Sequence, residues 1–585
     1  MTRQRRVVNS YKIRAQLFLS EDGLDALRRW EFRSSRPVQL KYCLTNVKRY
    51  PLFCALLWAT AGATAQPPFR TGINFPFFTP EAAGIDRYLS FIQRSRAGAI
   101  RQMTFADVHW RHVEAADNQW NFSRSDSAFF NGRALVPVGT LYSMMGQDAV
   151  GLQTPWLACS NPFQCYWDPA GDSVFAKDYV QTTVNRYKSV TPYWEIANEI
   201  EQALPPPGLP PGILPKREFL RLNYAWIKAV DPTAQVLLPG LVGTCCTYPM
   251  SNSFQWLRSL LAAGGGAYFD IMNYHDYQAW WTLPAHFDSI SNLLKQYQLE
   301  KPIWVTETGI SSFATSPITP AYSSTDEQAA DVWRRLCLLW AKGAQVVFWH
   351  TGWSNGDLGG WGEFGLINVQ GRKKKSFHAY RLLTEKVGRF SAVGLVQQGE
   401  VTDDNTVGGS GVWVVYFVVE GRNKWVMWSP DRRPYTLEGL KTDYFTVTQV
   451  VPTLLLQSGD SAVFSVQTYS PNNGTFLFGE LPPLPILVEE IASSAVPIVN
   501  PQLSLALYPN PAEEVALVRI VADTPLPFRL EVCDVLQRKV FDHTVERPAA
   551  GEQTVRIDLS GWPVGVYLCR LSAGPWSAVR ILVKK

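Results

Sequence analysis

The chain has 585 residues, more than one hydrophobic core usually organises, so several domains are expected. Apolar residues make up 46% and charged residues 18% of the sequence, a balance that excludes wholesale disorder. The net charge of +5 comes from residues 1–50, which hold 12 basic and 4 acidic side chains, and the rest of the chain is slightly acidic. It carries no basic stripe of the kind that phosphate backbones require, so no nucleic-acid partner is expected.

The first feature along the chain is a short apolar run near the N-terminus. Lys48-Arg49 precede the run Leu52–Ala61, which ends in Ala63-Thr64-Ala65. A charged region, a short apolar region and an A-x-A site are typical of a secretory signal peptide. We therefore predict a signal peptide at 47–65, preceded by a gene-model extension at 1–46. The run is too short to span a bilayer and no longer one follows, so no integral membrane segment is expected in the mature chain.

Between residues 71 and 351, eight short apolar runs alternate with longer amphipathic segments such as Arg217–Val230 and Asp326–Lys342. The runs are Thr71–Phe75, Ala99–Phe105, Ala134–Thr140, Tyr193–Glu199, Gln235–Leu241, Phe269–His275, Pro302–Gly309 and Gln345–Thr351. Continuous apolar strands separated by helices indicate a parallel sheet covered by helices. The pattern predicts an α/β domain, a (β/α)8 TIM barrel, over residues 66–390.

Two of these runs contain glutamates at their C-terminal ends: Glu199 on the fourth and Glu307 on the seventh. In a TIM barrel, polar residues at the C-terminal ends of strands face the catalytic mouth. Cleavage of a glycosidic bond needs two carboxyl groups, one to protonate the leaving oxygen and one to attack the anomeric carbon. A single glutamate could be a salt-bridged rim residue, but two on these strands favour a catalytic pair.

These segments resemble the strand-four Asn-Glu and strand-seven Glu of clan A glycoside hydrolases, with most likeness to family 39. The resemblance extends from about Thr71 to Phe390. It includes Arg101, the passage from Trp110 and Glu114 to Asn118-Gln119-Trp120-Asn121-Phe122, Asn273-Tyr274-His275, and Phe364-Gly365-Leu366-Ile367. The chain departs from the clan where Ile200-Glu201-Gln202 replace a common proline, and where the proline-rich insertion Leu204–Pro215 follows.

The resemblance implies a role for each matching residue. Glu199 would be the acid/base, Glu307 the nucleophile and Asn198 the partner of the substrate 2-hydroxyl. Tyr274 or His275 would orient Glu307, and Arg101 would keep it charged. Trp349 would be the subsite aromatic, and the loop residues Trp280, Trp281, Trp353 and Trp361 are candidates for stacking on sugar. Simpler alternatives stay open: Arg101 pairing with a barrel carboxylate, His275 as a core histidine, and Trp349 as a plug of the barrel.

Cysteine and histidine patterns give no support for a metal site, because the chain lacks C-x-x-C and H-E-x-x-H motifs. No cofactor is expected. Export would permit disulfides, and Cys159 with Cys165 is the favoured pair.

After about residue 391 the pattern changes to short alternating strands divided by turn residues, which predicts an antiparallel β-sandwich over 391–480. The predicted strands are Gly411–Glu420, Lys424–Ser429, Phe445–Val451 and Ala462–Thr468. Trp413, Trp425 and Trp428 are interpreted as core residues rather than as sugar-binding residues. A Pro-rich and Ser-rich stretch predicts a linker at 481–503, followed by an all-β module at 504–585.

The last module resembles the C-terminal sorting domain of type IX secretion. The resemblance rests on Leu507-Tyr508-Pro509-Asn510-Pro511, on Asp558–Tyr567 with its Gly565-Val566-Tyr567, and on the terminal Lys584-Lys585. It implies outer-membrane export by the secretion machinery, followed by release or surface anchoring.

The sequence as a whole predicts a secreted retaining glycoside hydrolase acting on β-linked oligo- or polysaccharides. The alternative is a cell-surface glycan-binding protein built on an inactive barrel, but the paired Glu199 and Glu307 argue against it.

Overall fold

The computed structural model describes residues 69–74, 94–102, 113–116, 118–126, 141–144, 173–202, 213–242, 253–313, 324–354, 363–401, 409–456, 459–491, 504–522, 527–534, 538–546, 551–573 and 576–585. Contacts divide the chain after Ala65, and every described residue lies in the unit that begins at Gln66. The expected signal peptide, the cysteine pair Cys159 and Cys165, Trp110, Trp361 and residues 204–212 of the proline-rich insertion lie outside the described residues.

Eight parallel strands form the first sheet. They are β1 Thr71–Asn74, β2 Ala99–Gln102, β3 Leu141–Met144, β4 Tyr193–Glu195, β5 Gln235–Leu237, β6 Met272–Asp276, β7 Ile303–Thr308 and β8 Val346–Trp349. The sheet runs in the order β5-β4-β3-β2-β1-β8-β7-β6. Parallel bridges from Leu237 to Ile271 and from Leu241 to Tyr274 join its two ends, so the sheet closes into a barrel.

Seven of the eight predicted runs overlap these strands, and the third does not. The observed β3 begins at Leu141, immediately after the predicted run Ala134–Thr140, which lies outside the described residues. Apolar residues continue from one segment into the next, so periodicity alone could not place the start of this strand.

Helices cover the barrel, as the amphipathic segments predicted. They are α1 Ser173–Tyr187, α2 Ile213–Val230, α3 Ser253–Ala262, α4 Leu283–Gln296, α5 Thr325–Lys342 and α6 Lys375–Lys386, with a short turn Ser123–Asp126 and 3-10 helices Ile200–Gln202, Gly265–Tyr268 and Trp280–Thr282. A small hairpin pairs Glu114–Ala116 with Gln119–Trp120.

The ends of α5 follow the expected chemistry: the Ser324 side chain accepts from the Glu327 N–H, and Gly343 adopts φ 112° after the last turn. Among the helices of the described residues, none is long and apolar enough to cross a membrane.

Alternating side chains divide the barrel strands β2, β4, β5, β7 and β8 between two cores. A small interior cluster fills the bottom of the barrel with Phe69, Ala99, Tyr193, Leu237, Ile271, Trp304, Val346 and Phe348. The intervening residues, including Tyr274, Val305, Val347 and Trp349, belong to the large cluster shared with the helices. The period of two therefore decides which residues at the strand ends can reach the mouth.

A six-stranded antiparallel sheet follows the barrel. In sheet order its strands are Phe390–Gln397, Trp413–Val419, Arg422–Trp428, Ile486–Glu490, Phe445–Gln449 and Val466–Tyr469. Two-stranded sheets pair Tyr435–Leu437 with Phe476–Phe478 and Leu454–Leu456 with Ser461–Val463. The predicted linker at 481–503 was therefore wrong in its first part, because Ile486–Glu490 pairs on both sides within the sheet. The prolines around 482–485 suggested a linker, yet they only introduce this strand.

The described residues between 504 and 585 form two further antiparallel sheets. One contains Ser504–Tyr508, Val515–Ala522 and Gly551–Asp558, and the other Lys539–Val545, Phe528–Asp534, Gly565–Ala573 and Trp576–Lys584. Between them lies a separate hydrophobic cluster that includes Leu505, Val518, Leu530, Ile557 and Leu571. This all-β module has a core of its own.

Candidate active site

Glu307 lies near the C-terminal end of β7 and is almost completely buried, with 5% of its side chain exposed. The Arg101 guanidinium donates from Nη1 to Glu307 Oε1, and the Tyr277 hydroxyl donates to Oε2. His350 Nδ1 lies 3.4 Å and His275 Nδ1 3.7 Å from the same Oε2. One carboxylate is therefore surrounded by a cation, a hydroxyl and two imidazoles.

Opposing effects set the protonation state of Glu307. Burial raises the pKa of its carboxyl group, but the neighbouring His275, His350 and Arg101 and the Tyr277 hydrogen bond more than offset burial and bring the pKa well below its usual range. Arg101 supplies the permanent charge, since burial lowers the pKa of His275 to about 3 and leaves that ring neutral near pH 7. Glu307 is thus an ionised, desolvated carboxylate.

Arg101, on β2, joins three acceptors of the site. Its Nε donates to Glu195 Oε2 at 2.8 Å and its Nη2 to Asn198 Oδ1 at 2.8 Å, in addition to the Glu307 contact. Arg101 and Glu195 are both fully buried. The alternative that Arg101 pairs with a barrel carboxylate is thus correct for Glu195, a residue for which the sequence predicted no role, and the pairing also holds Arg101 against Glu307.

Glu199 differs from Glu307 in its surroundings. Its backbone has φ 47°, a left-handed conformation, and its N–H donates to Gly240 O at 3.0 Å. Its side chain is 27% exposed, with Oε1 2.9 Å from His275 Nδ1. Burial, followed by the negative charges of Glu307 and Glu201, raises the pKa of Glu199 well above its usual range. The two carboxyl groups are pushed to opposite protonation states.

His275, on β6, lies fully buried between the two glutamates and Thr306, and its Nε2 is 3.1 Å from Thr306 Oγ1. It is therefore part of the polar site and not an isolated core histidine. Gly240 makes room for the ring, because a Cβ at this position would lie 2.0 Å from His275 Nε2.

One group of potential metal ligands occurs among the described residues. Oxygen atoms of Glu199 and Glu307 and a nitrogen of His275 all lie within 4.8 Å of one another. A cation placed there would compete with the buried Arg101 charge already in contact with Glu307. The arrangement suits proton transfer and nucleophilic attack better than metal binding.

The tyrosine on Glu307 is Tyr277, and the sequence prediction of Tyr274 was wrong. Tyr274 is fully buried in the cluster shared with the helices. Asn273 and His275 turn to the barrel interior, where Asn273 contacts Glu195 and His275 contacts Thr306. Counting by twos along β6 gives 273, 275 and 277, a signal in the sequence that would have selected Tyr277.

The predicted sugar-stacking tryptophans are mostly buried. Trp349 has no exposed surface and donates from Nε1 to Phe364 O at 3.2 Å, so it belongs to the core, as the plug alternative expected. Trp280 is 2% exposed, because it packs edge-on against Trp281, Trp413 and Trp428. Trp353 is half-buried beside Gly371. The side chain at the end of β8 that lies next to Glu307 is His350, whose Nδ1 is 3.1 Å from Asn74 Nδ2.

Comparison with known proteins agrees with this fold. Residues 224–336 match the family model described as "Glycosyl hydrolase catalytic core", and residues 506–585 match "Secretion system C-terminal sorting domain". No curated protein matches the chain. The resemblance predicted from the sequence is confirmed at this level: residues 224–336 are similar to a glycosyl hydrolase catalytic core, and residues 506–585 are similar to a C-terminal sorting domain.

Among solved structures, a family 39 glycoside hydrolase from the gut symbiont Bacteroides cellulosilyticus aligns with a TM-score of 0.52 at 17% identity, over 73% of this chain and 81% of that chain. A glycoside hydrolase family 30 endoxylanase from Clostridium papyrosolvens aligns with a TM-score of 0.47 at 12% identity, over 73% of this chain and 97% of that chain. The former supports the barrel-plus-sandwich architecture.

Proposed function

We propose that this protein is an exported retaining glycoside hydrolase that cleaves β-linked oligo- or polysaccharides. The observation that carries the proposal is the pair Glu199 and Glu307. Their oxygens come within 4.8 Å of each other, and their surroundings favour a protonated Glu199 and an ionised Glu307. Retaining enzymes hold their two carboxyl groups about 5–5.5 Å apart, whereas inverting enzymes leave room for a water molecule between them.

The reaction proceeds in two displacements. In the first, a Glu307 oxygen attacks the anomeric carbon while Glu199 gives its proton to the leaving glycosidic oxygen, which departs with the bonding electron pair. In the second, the ionised Glu199 takes a proton from a water molecule whose oxygen attacks the same carbon, and Glu307 leaves as a carboxylate. Each step inverts the anomeric centre, so the product keeps the configuration of the substrate.

The proposed role of Asn198 is to bind the substrate. Its Oδ1 accepts from Arg101 at 2.8 Å, which turns the amide NH2 group away from the guanidinium. That group can only donate, so it suits a sugar hydroxyl such as the 2-hydroxyl. A hydrogen bond at this hydroxyl strengthens in the transition state.

The sorting domain extends the proposal to cellular location. The match over residues 506–585 supports type IX secretion to the extracellular space or the cell surface. The sequence pattern at 47–65 supplies the expected signal peptide for the preceding export step. The proposed substrate is therefore an extracellular glycan.

The test is hydrolysis of aryl β-glycosides and β-linked polysaccharides by the purified protein, followed by proton NMR of the first product anomer. We expect the β-anomer to appear first and Glu307→Gln to lose at least about 10³-fold in kcat. Glu218→Gln, at a carboxylate on α2 paired with Arg221, serves as the control and should keep parental activity. An α-anomer as first product would exclude retention, and glycan binding without hydrolysis by the parent would favour the binding-protein alternative.

A further inference from the structure

A continuous chain of buried hydrogen bonds leads from Glu195 to the acid/base. Asn273 Nδ2 donates to Glu195 Oε1 at 2.8 Å, and Thr306 Oγ1 donates to Asn273 Oδ1 at 2.8 Å. Thr306 Oγ1 is also 3.1 Å from His275 Nε2, and His275 Nδ1 is 2.9 Å from Glu199 Oε1. Asn273, Thr306 and His275 have no exposed surface, so this chain is closed to water along its middle.

The orientation of the Asn273 amide is determined by Glu195. Glu195 Oε1 accepts from Gly240 N at 2.8 Å as well as from Asn273, while Oε2 accepts from Arg101. A carboxylate in this position only accepts, so the amide must present its NH2 group to Glu195 and its oxygen to Thr306. That oxygen also receives the Thr306 backbone N–H at 3.3 Å.

The orientation of the amide in turn determines the tautomer of His275. A threonine hydroxyl has one proton, and here Asn273 Oδ1 takes it. The hydroxyl oxygen can then only accept from His275, so the ring must carry its proton on Nε2. A neutral ring with Nε2–H has a bare lone pair on Nδ1, the atom that faces Glu199.

Two groups that face each other across 2.9 Å need one proton between them. With Nδ1 of a neutral His275 unprotonated, that proton must belong to the Glu199 carboxyl group. We propose that Thr306 is a positioning residue that, through the His275 tautomer, keeps the proton on Glu199 before substrate binds. This inference rests on the proposed function and adds to it a residue that never touches the substrate.

The charged neighbours are consistent with this protonation state. Facing Glu199 are the carboxylates Glu307, Glu201 and Glu195 and the cation Arg101. Around His275 lie Glu307, Arg101 and His350, with the Tyr277 hydroxyl on Glu307. Burial lowers the pKa of His275 to about 3, which excludes a doubly protonated ring near neutral pH.

Without the Thr306 hydroxyl, the hydrogen-bond chain no longer fixes which nitrogen of His275 carries the proton. His275 Nε2–H would lose its acceptor, and the ring can move its proton to Nδ1, where it donates to Glu199. A hydrogen bond to the charged form of a carboxyl group lowers its pKa. The acid/base would therefore lose its proton at lower pH than in the parent.

The experiment compares the pH dependence of kcat/KM for the full-length parent and Thr306→Val on an aryl β-glycoside with a poor leaving group. We expect the basic limb of Thr306→Val to move down by about one pH unit or more. Thr306→Ser, which keeps the hydroxyl, should retain the parental limb. Thr308 lies on the same strand, and its buried hydroxyl is bonded to Asp276 O. Thr308→Val therefore removes an equivalent group outside the hydrogen-bond chain and should also retain the parental basic limb.

The outcomes separate the inference from the proposed function. If the parent hydrolyses no glycoside, the proposed function fails and the inference with it. A working parent whose basic limb is unmoved in Thr306→Val, or moves equally in Thr308→Val, overturns the inference alone. Should Thr306→Val not fold by circular dichroism, Thr306→Ala takes its place, and an unmoved limb there has the same meaning.

Discussion

Tyr277 shows how one hydroxyl can tune the carboxylate that we propose as the nucleophile. Its donation to Glu307 Oε2 favours the ionised form, and it acts together with Arg101 against the burial that would protonate this group. Neither partner needs to move during the proposed reaction. The proposed nucleophile is thus kept ionised by fixed neighbours, in keeping with electrostatic preorganisation.

Replacement of Tyr277 by phenylalanine removes this hydrogen bond and little else. Because the bond favours the charged form, its loss raises the pKa of Glu307, and the acid limb of the kcat/KM profile should move to higher pH. We expect kcat/KM at the optimum to fall by about 10- to 100-fold, the equivalent of about 1.5–3 kcal/mol for a hydrogen bond to a charged group.

Tyr274→Phe is the matched control, since that tyrosine is buried in the helix-facing cluster three residues away. Its acid limb should coincide with that of the parent. Equal shifts in the two variants, measured across the same buffers, would show that Tyr277 has no specific effect on Glu307.

The period of a strand explains both the success and the failure of the sequence prediction at this scale. Arg101 was found because it shares the interior parity of Ala99 on β2. Glu307 was found from its place at the end of an apolar run, although it has the parity of Val305, because the register of β7 shifts between Val305 and Glu307. Tyr274 and Trp349 were chosen by residue type, although their parity on β6 and β8 turns them toward the helices. Thr306 and Glu195 could not be found at all, since their importance lies in contacts across the barrel that no local pattern records.

The short segment after β7, Gly309–Phe313, is held in place by hydrogen bonds with neighbouring parts of the barrel domain. Gln328 on α5 donates to Ile310 O at 2.9 Å, and Ser312 N donates to Glu363 O at 3.1 Å. Lys374 Nζ donates to Ser312 Oγ at 3.0 Å. Ile310, Ser311 and Ser312 are buried, yet Phe313 is 55% exposed. A fixed segment therefore presents an aromatic ring six residues beyond the proposed nucleophile.

Such a ring can stack on a sugar unit beyond the cleaved bond. We expect Phe313→Ala to raise KM for β-linked oligosaccharides by up to about 10-fold, in line with about 0.5–1.5 kcal/mol for an aromatic contact. The KM for a small aryl glycoside should stay unchanged, because that substrate does not extend so far.

Leu477→Ala provides the comparison for Phe313→Ala. Leu477 is 64% exposed on the strand Phe476–Phe478, outside the barrel, so its loss removes apolar surface that does not belong to the barrel strands or their loops. If both variants raise KM alike, or if neither does, Phe313 is not a substrate platform.

At the scale of the whole molecule, the barrel and the sandwich share one hydrophobic cluster. Trp280 from the barrel packs against Trp413 and Trp428 of the sandwich at ring distances of 5.1 and 5.6 Å, and the Arg334 guanidinium lies over Trp280 at 5.0 Å. Trp413, Trp425 and Trp428 are buried, in agreement with their interpretation as core residues. The sorting domain instead has a separate cluster.

These cores predict where the chain can be shortened. A 66–491 fragment lacks residues 1–65 and everything after the sandwich, and should keep the activity and melting temperature of the barrel. A 66–480 fragment, which ends where the sequence suggested a linker, loses Ile486–Glu490 from between two sheet strands. We expect it to be insoluble or to melt at least about 10 °C lower, since a central strand contributes several kcal/mol.

Differential scanning calorimetry and hydrolysis assays of the two fragments, prepared in parallel, give the answer. A 66–480 fragment that melts with the 66–491 fragment would mean that the last strand contributes nothing to the barrel.

The shared tryptophan cluster also bears on how such a protein can be inherited. Recombination between genes can attach or remove a module that has its own hydrophobic core, as the sorting domain does. Such an exchange would change the cellular location of the protein without changing the site in the barrel. The sandwich cannot be exchanged in that way, because a substitute would have to bring rings that fit Trp280. During evolution the barrel and the sandwich must therefore be inherited as one unit, whereas the sorting domain can be exchanged between genes.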